Sequence, residues 1–287
     1  MLYLILSMLS SAAIMVVFKL FERYRIDTSD AIVVNYAVAA SLSFLLDPTG
    51  IAIKDAPYEP WFVNALIMGV LFISLFNIIG ISAQRIGVSV TTVANKMSLV
   101  IPVLYAVLAL GESCGLYKIL GLAAALIAVI LTTRKNEHHP VERRYISFPL
   151  IVFVGSGFID AFFKYNQVHT LGTNGLEPFT GFIFLTAGCI GLFVWLYRYF
   201  VQQKVPAINA FVGGIMLGIP NYFSVYFLLK ALSMKGLESS VVIPVNNMAI
   251  VALGAIAGVL IFREKLNRLN YIGIVLCFVS ILLIGLG

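Results

Sequence analysis

The chain has 287 residues, of which 61% are hydrophobic and only 11% charged, with a formal net charge of +6. A soluble domain of this size carries about a quarter charged residues, so a water-soluble protein with one large core is excluded and a polytopic membrane protein is expected. The positive charge does not point to nucleic acid, because Lys and Arg sit in short hydrophilic gaps, as the flanks of membrane spans do.

Apolar runs of roughly 20 residues fall near 2–20, 31–47, 61–83, 88–110, 116–133, 147–169, 178–200, 208–233, 239–262 and 269–286. An all-α fold with ten transmembrane helices is expected, the second being the shortest. The first run reads as a retained helix, not a cleaved signal peptide, since its basic residues follow it. Trp61, Tyr145, Trp195 and Tyr197 lie near span ends, where interfacial anchors sit. Cys189 and Cys277 lie in apolar runs and read as small packing residues. With Cys114 they have no metal or redox spacing. The longest hydrophilic gap, 134–146, splits the chain into 1–133 and 147–287, with the gap as a cytoplasmic linker. It holds His138 and His139, which read as solvated, because no other His, Cys or acid is spaced to complete a metal site.

Placing the N-terminus outside puts 13 Lys and Arg residues in cytoplasmic loops against 3 on the outer face, Lys54, Lys118 and Lys235. The positive-inside rule therefore favours both termini outside. The other three basic residues, Lys96, Lys164 and Lys230, fall within spans.

The two halves repeat each other. Ser10–Lys19 aligns without gaps on Gly155–Lys164, matching Ser11, Ile14, Phe18 and Lys19 to Ser156, Ile159, Phe163 and Lys164. Phe62–Gly69 matches Phe211–Gly218, and Gly87 matches Gly236. Glu112 precedes Gly121 by nine residues, as Glu264 precedes Gly273. Asn95 falls on Asn247, and Lys96 on Met248. Five is odd, so two five-helix copies must run in opposite orientations. This inverted-repeat plan places a substrate site near the bilayer midplane.

Charges inside spans identify the candidate site, since one at a helix centre costs roughly 2.5–3.5 kcal/mol on insertion scales. Lys96 lies about 12 Å into span four at 1.5 Å per residue, beside Thr92 and Asn95 on one face. It reads either as a cation for a substrate carboxylate or as a structural ion pair. Asp160 is the one carboxylate well inside a span. It reads as a proton carrier or a fixed counter-ion, paired either with Lys164 one turn on or with Lys96 across the bundle. Pro220, Asn221 and Tyr222 are expected to interrupt span eight, with Tyr226 on the same face. Asn246 and Asn247 follow Pro244 in span nine. These asparagines and tyrosines read either as a hydrogen-bonding cavity wall or as packing between helices. Lys230 is expected to snorkel. Glu112 and Glu264 read as turn residues that meet the N-terminus of the helix after them.

Taken together, Lys19 and Lys164, Ala83-x₃-Gly87 and Ala231-x₄-Gly236, Gly111-Glu112 and Arg263-Glu264, and Gly121 and Gly273 form a pattern. It resembles the EamA-like families of the drug/metabolite transporter superfamily, over essentially the whole chain, with the first Ala–Gly pair one residue short. The resemblance implies a single-chain carrier without ATP hydrolysis that moves amino acids or other small metabolites, often outward. Some members are assigned cytoplasmic termini, opposite to the charge count.

The expected function is a secondary active transporter, an exporter working by alternating access in a bacterial inner membrane. Its partners are a small metabolite, carboxylate-bearing if Lys96 receives it, together with protons and membrane lipid. A monomer without cofactor is expected, and no nucleotide-binding motif is present. The alternatives are a passive channel or facilitator, or a membrane enzyme acting on a lipid-linked substrate. The enzyme would need a nucleophile, metal cluster or carboxylate pair at an interface.

Overall fold

The computed structural model describes residues 1–46, 55–85, 88–133, 147–171, 175–203, 207–234, 238–262 and 268–286. Among these there is one 3-10 turn, no strand, and eleven α-helices: α1 (Leu2–Tyr24), α2 (Thr28–Leu45), α3 (Phe62–Arg85), α4 (Val88–Met97), α5 (Val100–Leu110), α6 (Leu116–Thr133), α7 (Phe148–His169), α8 (Leu176–Gln202), α9 (Ile208–Leu232), α10 (Ser239–Phe262) and α11 (Arg268–Leu286). Seven are long and apolar enough to cross a membrane, and the shorter apolar stretches Leu2–Phe18, Ala94–Leu110 and Leu116–Leu131 bring the described set to ten. Each predicted span meets a helix or, at span four, a pair. His138, His139, Tyr145, Gly87, Gly236, Arg263 and Glu264 lie outside the described residues, as do the side chains of Lys19 and Thr92.

Span four is not continuous. Residue 102 would normally donate its N–H to the Ser98 carbonyl, but Pro102 has none and its ring crowds that carbonyl. Ile101 N–H takes the Ser98 carbonyl instead, at 3.0 Å. The helix stops at Met97 and restarts at Val100. Gly111 ends α5 in the left-handed region, φ 68°, which glycine adopts without steric cost. That accounts for the glycine of the Gly-Glu turn.

The expected interruption at Pro220 is corrected. Helix α9 runs through it, as α10 runs through Pro244. One neighbour holds α9 on both sides of the proline. Gly214 and Gly218 abut Val34 and Val38 of α2, and Asn221 donates to Asn35 of α2 at 3.1 Å.

The described residues form two compact units, each drawing helices from both halves of the sequence. The first unit comprises Met1–Ser74 and Tyr165–Lys230. Its largest helix pair is α2 on α8. Helix α2 begins at an Asp27 cap that accepts from Ser29 N–H at 3.0 Å and Asp30 N–H at 3.3 Å. It turns Ala31, Asn35, Tyr36, Ala39 and Ser43 inward. Gly181, Gly188 and Gly191 of α8 lie against this face, a small-residue contact that lets helices approach closely where lipid supplies no hydrophobic drive. Trp61 is buried here against Phe179 and Phe182, with ring centroids 6.2 and 5.9 Å away. It packs inside the unit, just before the start of α3. Tyr197 does face outward, and so does Cys189, which is therefore not a core residue.

The second unit comprises Leu75–Lys164 and Ala231–Gly287. Its core joins Leu99, Ala125, Ala128, Val129, Met248 and Cys277. Helices α6 and α11 make the most extensive pair. A Cβ on Gly121 would lie 2.6 Å from Ile284 Cγ1 and 2.9 Å from its backbone nitrogen, so the glycine nine residues after Glu112 is there for flush packing.

Candidate functional site

In the second unit, the break in span four carries Lys96 on the last turn of α4. A Cβ on Gly157 of α7 would lie 2.8 Å from the Ser98 carbonyl oxygen and 2.5 Å from Ile101 Cδ1. Helix α7 therefore touches the break itself, and Asp160 follows one turn on. Lys96 Nζ donates to Asn247 Oδ1 of α10 at 3.2 Å. Asp160 is hydrogen-bonded to the same Asn247 side chain and interacts electrostatically with Lys96. An Asn amide has one acceptor oxygen and a donor NH₂, so with its oxygen on Lys96 its nitrogen serves Asp160. Three helices thus hold a Lys–Asn–Asp cluster, with Asn247 buried and Lys96 and Asp160 partly buried. This favours the cross-bundle partner for Asp160 over the local one. Lys164 is buried as well, but its electrostatic partner is Glu112.

The other candidates near Lys96 take different places. Ser98 Oγ donates to the Asn95 carbonyl, bracing the break. Thr92 is in α4. Thr91, one residue earlier, is buried and hydrogen-bonded to Ser82 of α3 at 2.7 Å. Asn246 is 5% exposed, and its Oδ1 has no hydrogen-bond partner.

A second charged cluster in this unit gathers at the start of α10. Glu112 Oε2 accepts from Ser240 N–H at 2.8 Å. The glutamate of the turn therefore caps the first turn of α10, a helix distant in sequence, which the sequence reading did not foresee. Lys118 lies on α6 with none of its side chain exposed. It is no outer-loop residue. It donates to Glu238, to Ser240 Oγ at 2.9 Å and to the Ser113 carbonyl at 2.7 Å. Sequence reasoning missed it because a lysine two residues inside a span end looks like a flank. The repeat register was the available signal: the offset joining Glu112 to Glu264 puts Lys118 on Asn270, which is also buried and donates to the Leu131 carbonyl at 3.0 Å.

The hydrogen bond from Lys118 holds the Glu238 carboxyl below its ordinary 4.5. A depressed carboxyl stabilises the fold above the unfolded value and loses that contribution as pH falls through the folded value. Glu238→Gln is therefore expected to lower the melting temperature at neutral pH. The gap from the parent should persist down to about pH 4.5 and close below it. Thermal melts of both proteins across that range check this.

In the first unit, Asn221 pairs with Asn35. Tyr222 is fully buried and stacks on Tyr226, centroids 5.6 Å apart. Lys230 is partly exposed. Its Nζ lies 3.0 Å from Glu177 Oε1, whose side chain is 4% exposed, and 5.4 Å above the Tyr226 ring. The Tyr226 hydroxyl is hydrogen-bonded to Glu177 as well. Arg198 of α8 reaches Asp30 at 3.2 Å and Asp27 at 3.8 Å, at the start of α2. The candidate residues therefore divide. Lys96, Asn247 and Asp160 come together in one unit, while Asn221, Tyr222 and Tyr226 are engaged within the other.

Long apolar helices that bury ion pairs and amide contacts define a multi-pass integral membrane protein. The chain belongs to the EamA-like transporter family, whose sequence profile matches residues 1–134. That family is one of transporters. An uncharacterised protein of Haemophilus influenzae (strain ATCC 51907 / DSM 11121 / KW20 / Rd) is 32% identical over 279 residues, spanning 95% of this chain and 93% of its own. A solved crystal structure with 11% identity covers 99% of this chain and 96% of its own, with a TM-score of 0.79. At that identity the likeness shows the fold alone.

Proposed function

We propose that this protein is a secondary active transporter that exports small metabolites such as amino acids across a bacterial inner membrane by alternating access. The observation that carries the reading is the Lys96–Asn247–Asp160 cluster at the broken span. An ammonium withdrawn into a span is expensive unless it is paired. A pair bridged through one amide is readily re-partnered. A substrate carboxylate would take Lys96, and freed amide and carboxylate groups would meet the substrate's own donors. Broken helices are where transporters of inverted-repeat design bind their cargo.

Two five-helix halves of opposite orientation are part of this proposal. The matched sequence segments support them. So do the two most extensive helix pairs, α2 with α8 and α6 with α11, which join the second helices and the fifth helices of the halves. The charge count favours both termini outside.

The test is amino-acid flux in proteoliposomes with and without an imposed proton gradient. Saturable flux accelerated by the gradient is expected. Flux that rises linearly with concentration and ignores the gradient would mark a channel and sink the proposal.

A further inference from the structure

The two charged clusters of the second unit are stacked along the same two helices. On α7, Asp160 and Lys164 are four residues apart, about 6 Å along the axis and on one face. On α10, Ser240 and Asn247 are seven residues apart, about 10.5 Å and again on one face. The inner tier is Lys96, Asp160 and Asn247. The outer tier is Glu112, Lys164, Glu238 and Lys118 around the first turn of α10, with two carboxylates and two ammonium groups. Each tier is neutral as it stands. Among the described residues, Lys164 is a cation that adjoins both: it interacts electrostatically with Glu112, and Asp160 lies one turn before it on its own helix.

We propose that Lys164 is a charge-exchange residue that couples occupancy of Lys96 to the hold of the α5–α6 turn on α10. This rests on the reading of Lys96 as the group a substrate carboxylate engages. When Lys96 turns to the substrate, Asp160 loses its counter-ion in a medium of low dielectric, where an unpaired carboxylate is costly. The nearest other cation is Lys164, and it moves to Asp160. Glu112 and Glu238 then face each other at one helix end with Lys118 alone between them. Their repulsion loosens the Glu112–Ser240 hydrogen bond, and the turn carrying Ser113 and Cys114 separates from α10. No covalent step is involved. Two ion pairs are exchanged for two others, and the substrate's negative charge is balanced by Lys96.

The device can be triggered without substrate. Lys96→Gln removes the cation from Asp160, as occupancy would, while keeping a hydrogen-bonding side chain. Hydrogen–deuterium exchange of the peptide holding the Ser240 amide reads the outer tier directly. Exchange in Lys96→Gln is expected to be about tenfold faster than in the parent, as for loss of one charge-assisted hydrogen bond. The double variant Lys96→Gln/Asp160→Asn is expected to return to the parental rate, because Lys164 then has no reason to leave Glu112.

Parental exchange in Lys96→Gln, which is the outcome if Asp160 simply takes a proton, overturns the proposal. So does fast exchange that Asp160→Asn fails to reverse. Buried Cys277 must stay unreactive to a thiol reagent throughout, which separates local release from unfolding. Where Lys96→Gln fails that control, Lys96→Met carries the same comparison. The measurement uses no substrate, so its failure and the failure of the transport reading are seen separately.

Discussion

Lys96→Ala is expected to reduce transport by roughly 100-fold or more, because truncating one partner of a buried, hydrogen-bonded charge pair costs about 2–5 kcal/mol. Two losses combine. The substrate loses its cation, and Asp160 is left with Asn247 but without the opposite charge that now balances it. Lys96→Arg keeps the charge but replaces a compact ammonium with a planar fork, and is expected to recover only part of the flux. Initial rates in proteoliposomes, normalised to protein folded by gel filtration, make the comparison. Flux of Lys96→Ala at the parental level would remove Lys96 from the binding site and leave its pair with Asp160 as a structural feature.

Gly214→Val is expected to destabilise the first unit strongly, by about 3 kcal/mol. A Cβ at Gly214 would collide with Val34 Cβ and lie 2.7 Å from the Ala31 carbonyl oxygen. Backbone, unlike a side-chain tip, cannot rotate away. Overpacking of this kind costs typically 1–3 kcal/mol, and the branched side chain adds two more methyl groups at the same contact. Helix α9 also runs unbroken through Pro220 along this α2 face, so separation there exposes the point of α9 that lacks a backbone hydrogen bond. A melting temperature within a degree of the parent would show that α2 and α9 yield at this contact. Gly285 has no neighbour within 4 Å of an added Cβ, so Gly285→Ala serves as the tolerant control.

Much of the architecture was legible because lipid imposes a simple rule. A chain crossing hydrocarbon must satisfy its backbone internally, which allows helices of about 20 apolar residues. The ten runs could therefore be read by hydropathy, and the described helices fall on them. Prolines were read less well. Pro220 and Pro244 sit inside unbroken helices, whereas Pro102 breaks one. A proline always removes one hydrogen bond, but whether the helix parts depends on what packs across it. Across Pro220 one helix face holds both sides. At Pro102, Gly157 admits α7 against the Ser98 carbonyl, which Ile101 N–H has taken over.

The candidate site divides along the same line. The sequence by itself determined that Lys96 and Asp160 lie within apolar spans where charge is expensive, since that follows from their depth in those runs. It also isolated Lys96, which has a methionine at the matched position of the other half. Only the tertiary structure decided who pairs with whom: Asp160 with Lys96 through Asn247, Lys118 with Glu238, and Lys230 with Glu177, while Lys164 feels the charge of Glu112. A sequence shows neighbours one helical turn apart, but not which faces of separate helices meet. The buried charges here take partners from other helices, in part because small residues at the crossings bring those helices close.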